Sequence, residues 1–114
     1  MDTKEAEAFR SQLTAERARL LEEIGEAIVA PEQMTYGSQA AAASQVFEQQ
    51  RDLALRDRAI HHLAQVDAAL ARLDDDTYGR CIRCGREIAQ ARLEALPWAA
   101  HCIECQTAID RGQR

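Results

Sequence analysis

All four cysteines of the chain fall in two pairs, Cys81-Ile-Arg-Cys84 and Cys102-Ile-Glu-Cys105, separated by the seventeen residues from Gly85 to His101. A Cys-x2-Cys turn aims two thiolates at one point, and two such turns complete a tetrahedron. That is the ligand set of a closed structural zinc site. Gly85 follows the first pair, where the backbone must curl back around the sulfurs and a positive φ is needed. The competing reading is a pair of disulfides. The opening Met1-Asp-Thr-Lys-Glu-Ala-Glu shows no basic segment followed by an apolar one, so no secretory leader is expected and the thiols should stay reduced. Four sulfurs leave no open position for water, which argues against catalytic zinc. His101, beside Cys102, reads as an outer-shell or exposed residue rather than a substitute ligand.

The rest of the 114 residues must supply helices. Aromatics make up 4% of the chain, too few for a β-rich core, and much of the apolar content is Ala and Leu. A chain of this size buries a modest core, which the metal supplements locally. The periodicity predicts a helix over 3–29, capped by Asp2 or Thr3, with a stripe of Phe9, Leu13, Leu20, Ile24, Ala27 and Ile28. Pro31 ends it. A second helix is expected over 40–75, with a stripe of Val46, Leu53, Ile60, Leu63 and Leu70 and with Ala59, Val66 and Leu73 beside it. A short connection over 30–39 forces the two into an antiparallel hairpin at the shallow angle of coiled coils. Arg17 and Arg19 are expected to pair with Glu22 and Glu23 one turn away, and His61 and His62 to be exposed or to line the coil.

Asp74-Asp-Asp76 marks the exit from the second helix, although acids there oppose the helix dipole. The finger then occupies 77–114. Glu87-Ile88 is expected to return as a short strand against 78–81, making a small β-hairpin. Arg92 to Trp98 reads as a loop whose Leu93, Leu96 and Trp98 form a miniature core. A last helix over about 103–111 carries Cys105 in its first turn. The fold class is thus mainly α: a helical hairpin over 1–76, then a C4 zinc finger with a C-terminal helix.

The charge balance excludes some functions. Lys and Arg number 14 against 19 acids, a net charge of −5. Duplex binding needs clustered cations to displace phosphate counterions, and here the arginines alternate with acids, as in Arg51-Asp52 and Arg56-Asp57-Arg58. Sequence-specific DNA binding is therefore not expected. No apolar run approaches the roughly 20 residues of a membrane span. The expected compartment is the cytoplasm and the expected state a monomer. No His/Asp/Glu cluster suggests a base–nucleophile set, so the chain does not read as an enzyme.

Tyr78-Gly79-Arg80-Cys81-Ile82-Arg83-Cys84-Gly85, Ile88, Arg92-Leu93-Glu94-Ala95-Leu96-Pro97 and Cys102-Ile103-Glu104-Cys105, placed after a long hairpin, resemble the DksA/TraR family of C4-type zinc-finger proteins. The likeness is specific over 74–106 and architectural over 3–73. It implies a protein that binds bacterial RNA polymerase, passes its hairpin down the secondary channel and alters the lifetime of promoter complexes, in some members together with the alarmone (p)ppGpp. No chemistry on a substrate is implied.

Two departures from the family pattern bear on that role. The family's tip motif, Asp-x-x-Asp-x-Ala, falls without gaps on Ser38, Ala41 and Ala43, so both acids are missing. Glu32 is the one acid within 30–47. Ser and Ala cannot reproduce a carboxylate's field near a metal or a basic loop. The basic positions thought to hold the alarmone read Gln65, Leu96 and Gln106, whereas a tetraphosphorylated nucleotide needs cations. Arg58 is kept. The expected function is a polymerase-binding regulator with altered or weakened output and little alarmone response. The alternative is a zinc-stapled helical interaction module that does not act on polymerase.

Overall fold

A computed structural model describes residues 1–28 and 39–112. Four helices follow one another: α1 (Thr3–Ile28), α2 (Gln39–Asp74), α3 (Gln90–Ala95) and α4 (Ile103–Asp110). Asp2 caps α1 by accepting a hydrogen bond from the Glu5 backbone N–H at 2.8 Å. The helices expected over 3–29 and 40–75 are thus present over their described residues, and the connection expected over 30–39 lies almost wholly outside them.

α1 and α2 pack against each other as an antiparallel pair whose register is visible in two ion pairs. Arg10 meets Asp74 and Arg17 meets Asp67, each at 2.8 Å. Seven residues forward on α1 match seven backward on α2, which is heptad pairing. Along this register the seam closes on Phe9, Leu13 and Leu20 of α1 and on Ala59, Val66, Ala69 and Leu73 of α2, all buried. Ala6, Ile24, Leu63 and Leu70 pack against them. Leu13 and Val66 are fully shielded from solvent.

The α1 stripe agrees with the sequence reading at Phe9, Leu13, Leu20 and Ile24; Ala27 and Ile28 are beyond the described side chains. The α2 stripe agrees at Leu63 and Leu70, with Ala59, Val66 and Leu73 buried beside them, and departs at its first three residues. Val46, Leu53 and Ile60 face solvent at 54%, 57% and 42% exposure, while the small residues Ala59 and Ala69 are inside. The seam follows Ala59, Leu63, Val66, Leu70 and Leu73, spaced four and three. The register of the two ion pairs sets Ile28 of α1 opposite Arg56, so Val46 and Leu53 lie past the described part of α1. The pairing of Arg17 is also corrected. It reaches across the seam to Asp67, and Arg19 alone takes the intrahelical acids, Glu16 and Glu23.

The acidic run after α2 ends the helix by three separate devices. Asp74 pairs with Arg10. Asp75 accepts from the backbone N–H and the hydroxyl of Thr77. Asp76 takes a φ of 63°, a left-handed conformation that Asp tolerates better than most residues. The backbone N–H groups of Thr77 and Tyr78 then return to the Arg72 carbonyl at 2.9 and 3.1 Å, satisfying an acceptor the helix leaves open.

Candidate metal centre

The finger is built by short-range backbone contacts around the cysteines. Gly79 and Gly85 have φ values of 86° and 77°, and at Gly85 this is the conformation the knuckle requires. The expected strand return is a single antiparallel bridge between Arg80 and Glu87. It is supported by Cys81 N–H donating to Arg86 O and Ile88 N–H to Gly79 O, both at 2.8 Å. Gly85 N–H closes the first knuckle onto Cys81 O at 2.9 Å. Cys102 sits at the N-cap of α4 and Cys105 in its first turn.

These turns bring the sulfurs of Cys81, Cys84, Cys102 and Cys105 within 4.8 Å of one another. Cys84 Sγ and Cys102 Sγ are 3.8 Å apart. A tetrahedron with Zn–S bonds of about 2.3 Å places its sulfurs about 3.8 Å apart, so the group can hold one metal ion. All four are free thiols gathered in one cluster, the arrangement of a C4 metal site.

The surroundings divide the four sulfurs. Burial disfavours charge on Cys81, but the backbone at Cys102, Cys84 and Arg83 hydrogen-bonds the sulfur and holds the thiol down to about 6. The backbone and guanidinium of Arg86 hold Cys84 below the ordinary thiol value. Cys105 is pushed up to about 12, by burial and then by hydrogen bonds from the other three thiols. Four thiols this close share protons, and a divalent cation that ionises all four removes the conflict. Arg86 also bridges the two knuckles through Glu104 at 3.1 Å. Sequence reading overlooked Arg86, because nothing in Gly85-Arg86-Glu87 marks it as a neighbour of sulfur.

The region read as a loop over 92–98 is partly helix, α3, and its Leu93 is buried. Leu93, Ile88 and Ala99 form a small core under the sulfurs. Tyr78 joins this core to the hairpin. Its ring lies 5.3 Å from that of Phe9, and its hydroxyl donates to Pro97 O at 2.7 Å. Burial pushes the phenol up to about 12, so it remains a donor.

Gln65, Leu96 and Gln106 line one groove between α2 and the finger, of about 620 Å³. Arg72 and Arg92 line it too. Both guanidinium groups are engaged by backbone carbonyls: Arg72 by Trp98 and Ala99 at 3.4 Å, and Arg92 by His101 at 3.1 Å. Ala43, near the start of α2, and Arg58, in its middle, are exposed. Ala41 is helical but its side chain is not described, and Ser38 lies outside the described residues. Among the described residues, no helix is long and apolar enough to cross a membrane.

Residues 76–111 match the family model described as the prokaryotic dksA/traR C4-type zinc finger. The chain is similar to the RNA polymerase-binding transcription factor DksA of Caulobacter vibrioides, with 32% identity over 100% of this chain and 82% of that protein. The factor of the same name from Haemophilus influenzae is 35% identical over 90% of this chain and 72% of its own. Among solved structures, transcription factor DksA2 of Pseudomonas aeruginosa superposes with a TM-score of 0.75 and 30% identity, covering 96% of this chain and 86% of that one. All three relatives are named as transcription factors, in keeping with a non-enzymatic role.

Proposed function

The chain belongs to the DksA/TraR C4-type zinc-finger family, and from that premise we propose that it regulates transcription by binding bacterial RNA polymerase. In this reading the chain works in the cytoplasm, as a monomer, and enters the secondary channel hairpin first. Cys81, Cys84, Cys102 and Cys105 hold one structural zinc, whose bonds supply the cross-link that a core of this size lacks. The observation that carries the reading is a rigid rod on a specific finger. The 36-residue α2 alone is about 54 Å long, and its base is fixed through Tyr78.

The output of this regulator differs from that of acid-tipped family members. Ser38 and Ala41 stand where the tip carboxylates would be, so the charge delivered into the channel is missing, while Ala43 and Arg58 keep the family's residues. The alarmone response is weak or absent. Gln65, Leu96 and Gln106 do share a groove, but they bring no cation to it, and Arg72 and Arg92 already donate to backbone carbonyls.

The test is capture of core polymerase by the purified protein at micromolar concentration, with and without a competing channel factor. Binding that the competitor displaces supports the reading. No capture and no crosslink would end it. The missing acids favour a second reading, a helical interaction module with a different protein partner. Ser38→Asp with Ala41→Asp separates the two. Gain of activity in a strain lacking its own DksA means docking was intact, whereas no gain together with no capture leaves the module.

A further inference from the structure

One cluster lies outside the metal centre. His62 of α2 lies in the seam with its side chain 22% exposed. Its Nε2 is 3.2 Å from Glu16 Oε1 on α1, and its Nδ1 is 3.1 Å from Gln65 Oε1. Trp98, from the finger, stands nearly perpendicular to the imidazole with ring centroids 4.2 Å apart. A single side chain thus touches both helices of the hairpin and the finger.

We propose that His62 is a proton-operated pin at the joint, and that its protonation tightens the finger against the hairpin. A neutral imidazole has one N–H and can donate to only one of the two oxygens, whereas the imidazolium donates to both. Its charge faces the Glu16 carboxylate and lies beside the Trp98 indole. The groups facing it are Glu16 from α1, with Arg19 bonded to the same carboxylate, Gln65 from α2 and the uncharged indole from the finger. The Arg19 hydrogen bond, working against burial and helped by His62, holds the Glu16 carboxyl below the usual carboxylate range. Glu16 therefore stays ionised while an imidazole titrates. The joint is tight while His62 is protonated and Glu16 ionised, and it relaxes when either group changes charge. This holds whether or not polymerase is the partner.

Trp98 is the only tryptophan in the chain, so its fluorescence reports the joint directly. The experiment is a titration of the full-length, zinc-loaded protein from about pH 8 to about pH 5.5, the span in which imidazole changes charge, with bound zinc measured at each step. The expected result is one sigmoidal fall in emission at constant zinc content. The fall disappears in His62→Gln and in His62→Phe, which keeps a packed ring, and persists in His61→Gln and His101→Gln. Glu16→Gln moves it to lower pH. A fall that survives in both His62 variants, a fall abolished by either of the other two histidine variants, or an unchanging wild-type signal would each overturn the proposal.

Discussion

The finger and the hairpin reach order by opposite routes. In the finger, 36 residues from Asp76 to Arg111 are tied by four sulfurs, one β-bridge and a core of a few side chains, and its contacts are mostly close in sequence. The hairpin has no cross-link. Its two helices are held by a seam in which residues about fifty positions apart meet, as Arg17 and Asp67 do. The first is a local structure secured by coordination and the second a distributed one secured by burial. Damage to one should therefore spare much of the other; they are joined where Phe9 meets Tyr78, where His62 meets Trp98 and where Arg72 donates to the Trp98 and Ala99 carbonyls.

The harshest way to break this contrast is to remove a thiolate. Cys81→Ser or Cys105→Ser should unfold the finger and release α4 while much of the hairpin's helical circular dichroism remains. Metal binding of this kind contributes on the order of 10 kcal/mol. Chelation should do the same, and finger amide resonances unmoved by chelator would contradict it. Next in size is the reverse experiment. Leu13→Ala, at a fully buried position, should cost about 3 kcal/mol in thermal or denaturant unfolding of the hairpin and leave zinc stoichiometry at one. Loss of zinc in that variant would show that the two parts are not separable.

Finer changes sharpen the comparison. Asp76→Gly relieves a positive φ on a non-glycine residue and removes an acid at a helix C-terminus. It should raise the melting temperature, by about 0.5–1 kcal/mol of stability. Arg17→Ala removes an exposed ion pair with Asp67 and should cost only about 0.3 kcal/mol, an effect that shrinks with added salt.

What could be read from sequence follows the same division. The metal ligands and the turn at Gly85 were legible because their geometry is set by neighbours two or three residues away. The hairpin was legible as two helices, but its seam only in part. Val46, Leu53 and Ile60 form a heptad of large apolar residues, but the register set by Arg10–Asp74 and Arg17–Asp67 puts Val46 and Leu53 past the described part of α1, and the seam runs through Ala59, Leu63, Val66, Leu70 and Leu73. α3 was overlooked although Gln90, Ala91, Arg92, Leu93, Glu94 and Ala95 are good helix formers. Its brevity before Pro97 made it resemble a loop. The meeting of His62 with Glu16 and Trp98 spans 46 and 36 residues, and no local pattern announces it.

The Arg10–Asp74 and Arg17–Asp67 rungs have one further corollary. Because they repeat after seven residues on both strands, the rod is graduated like a ruler. Its reach can be altered without disturbing the base only by adding or deleting whole heptads in both arms together, about 10 Å at a time. Any other change of length twists the far end around the axis and points it in a new direction.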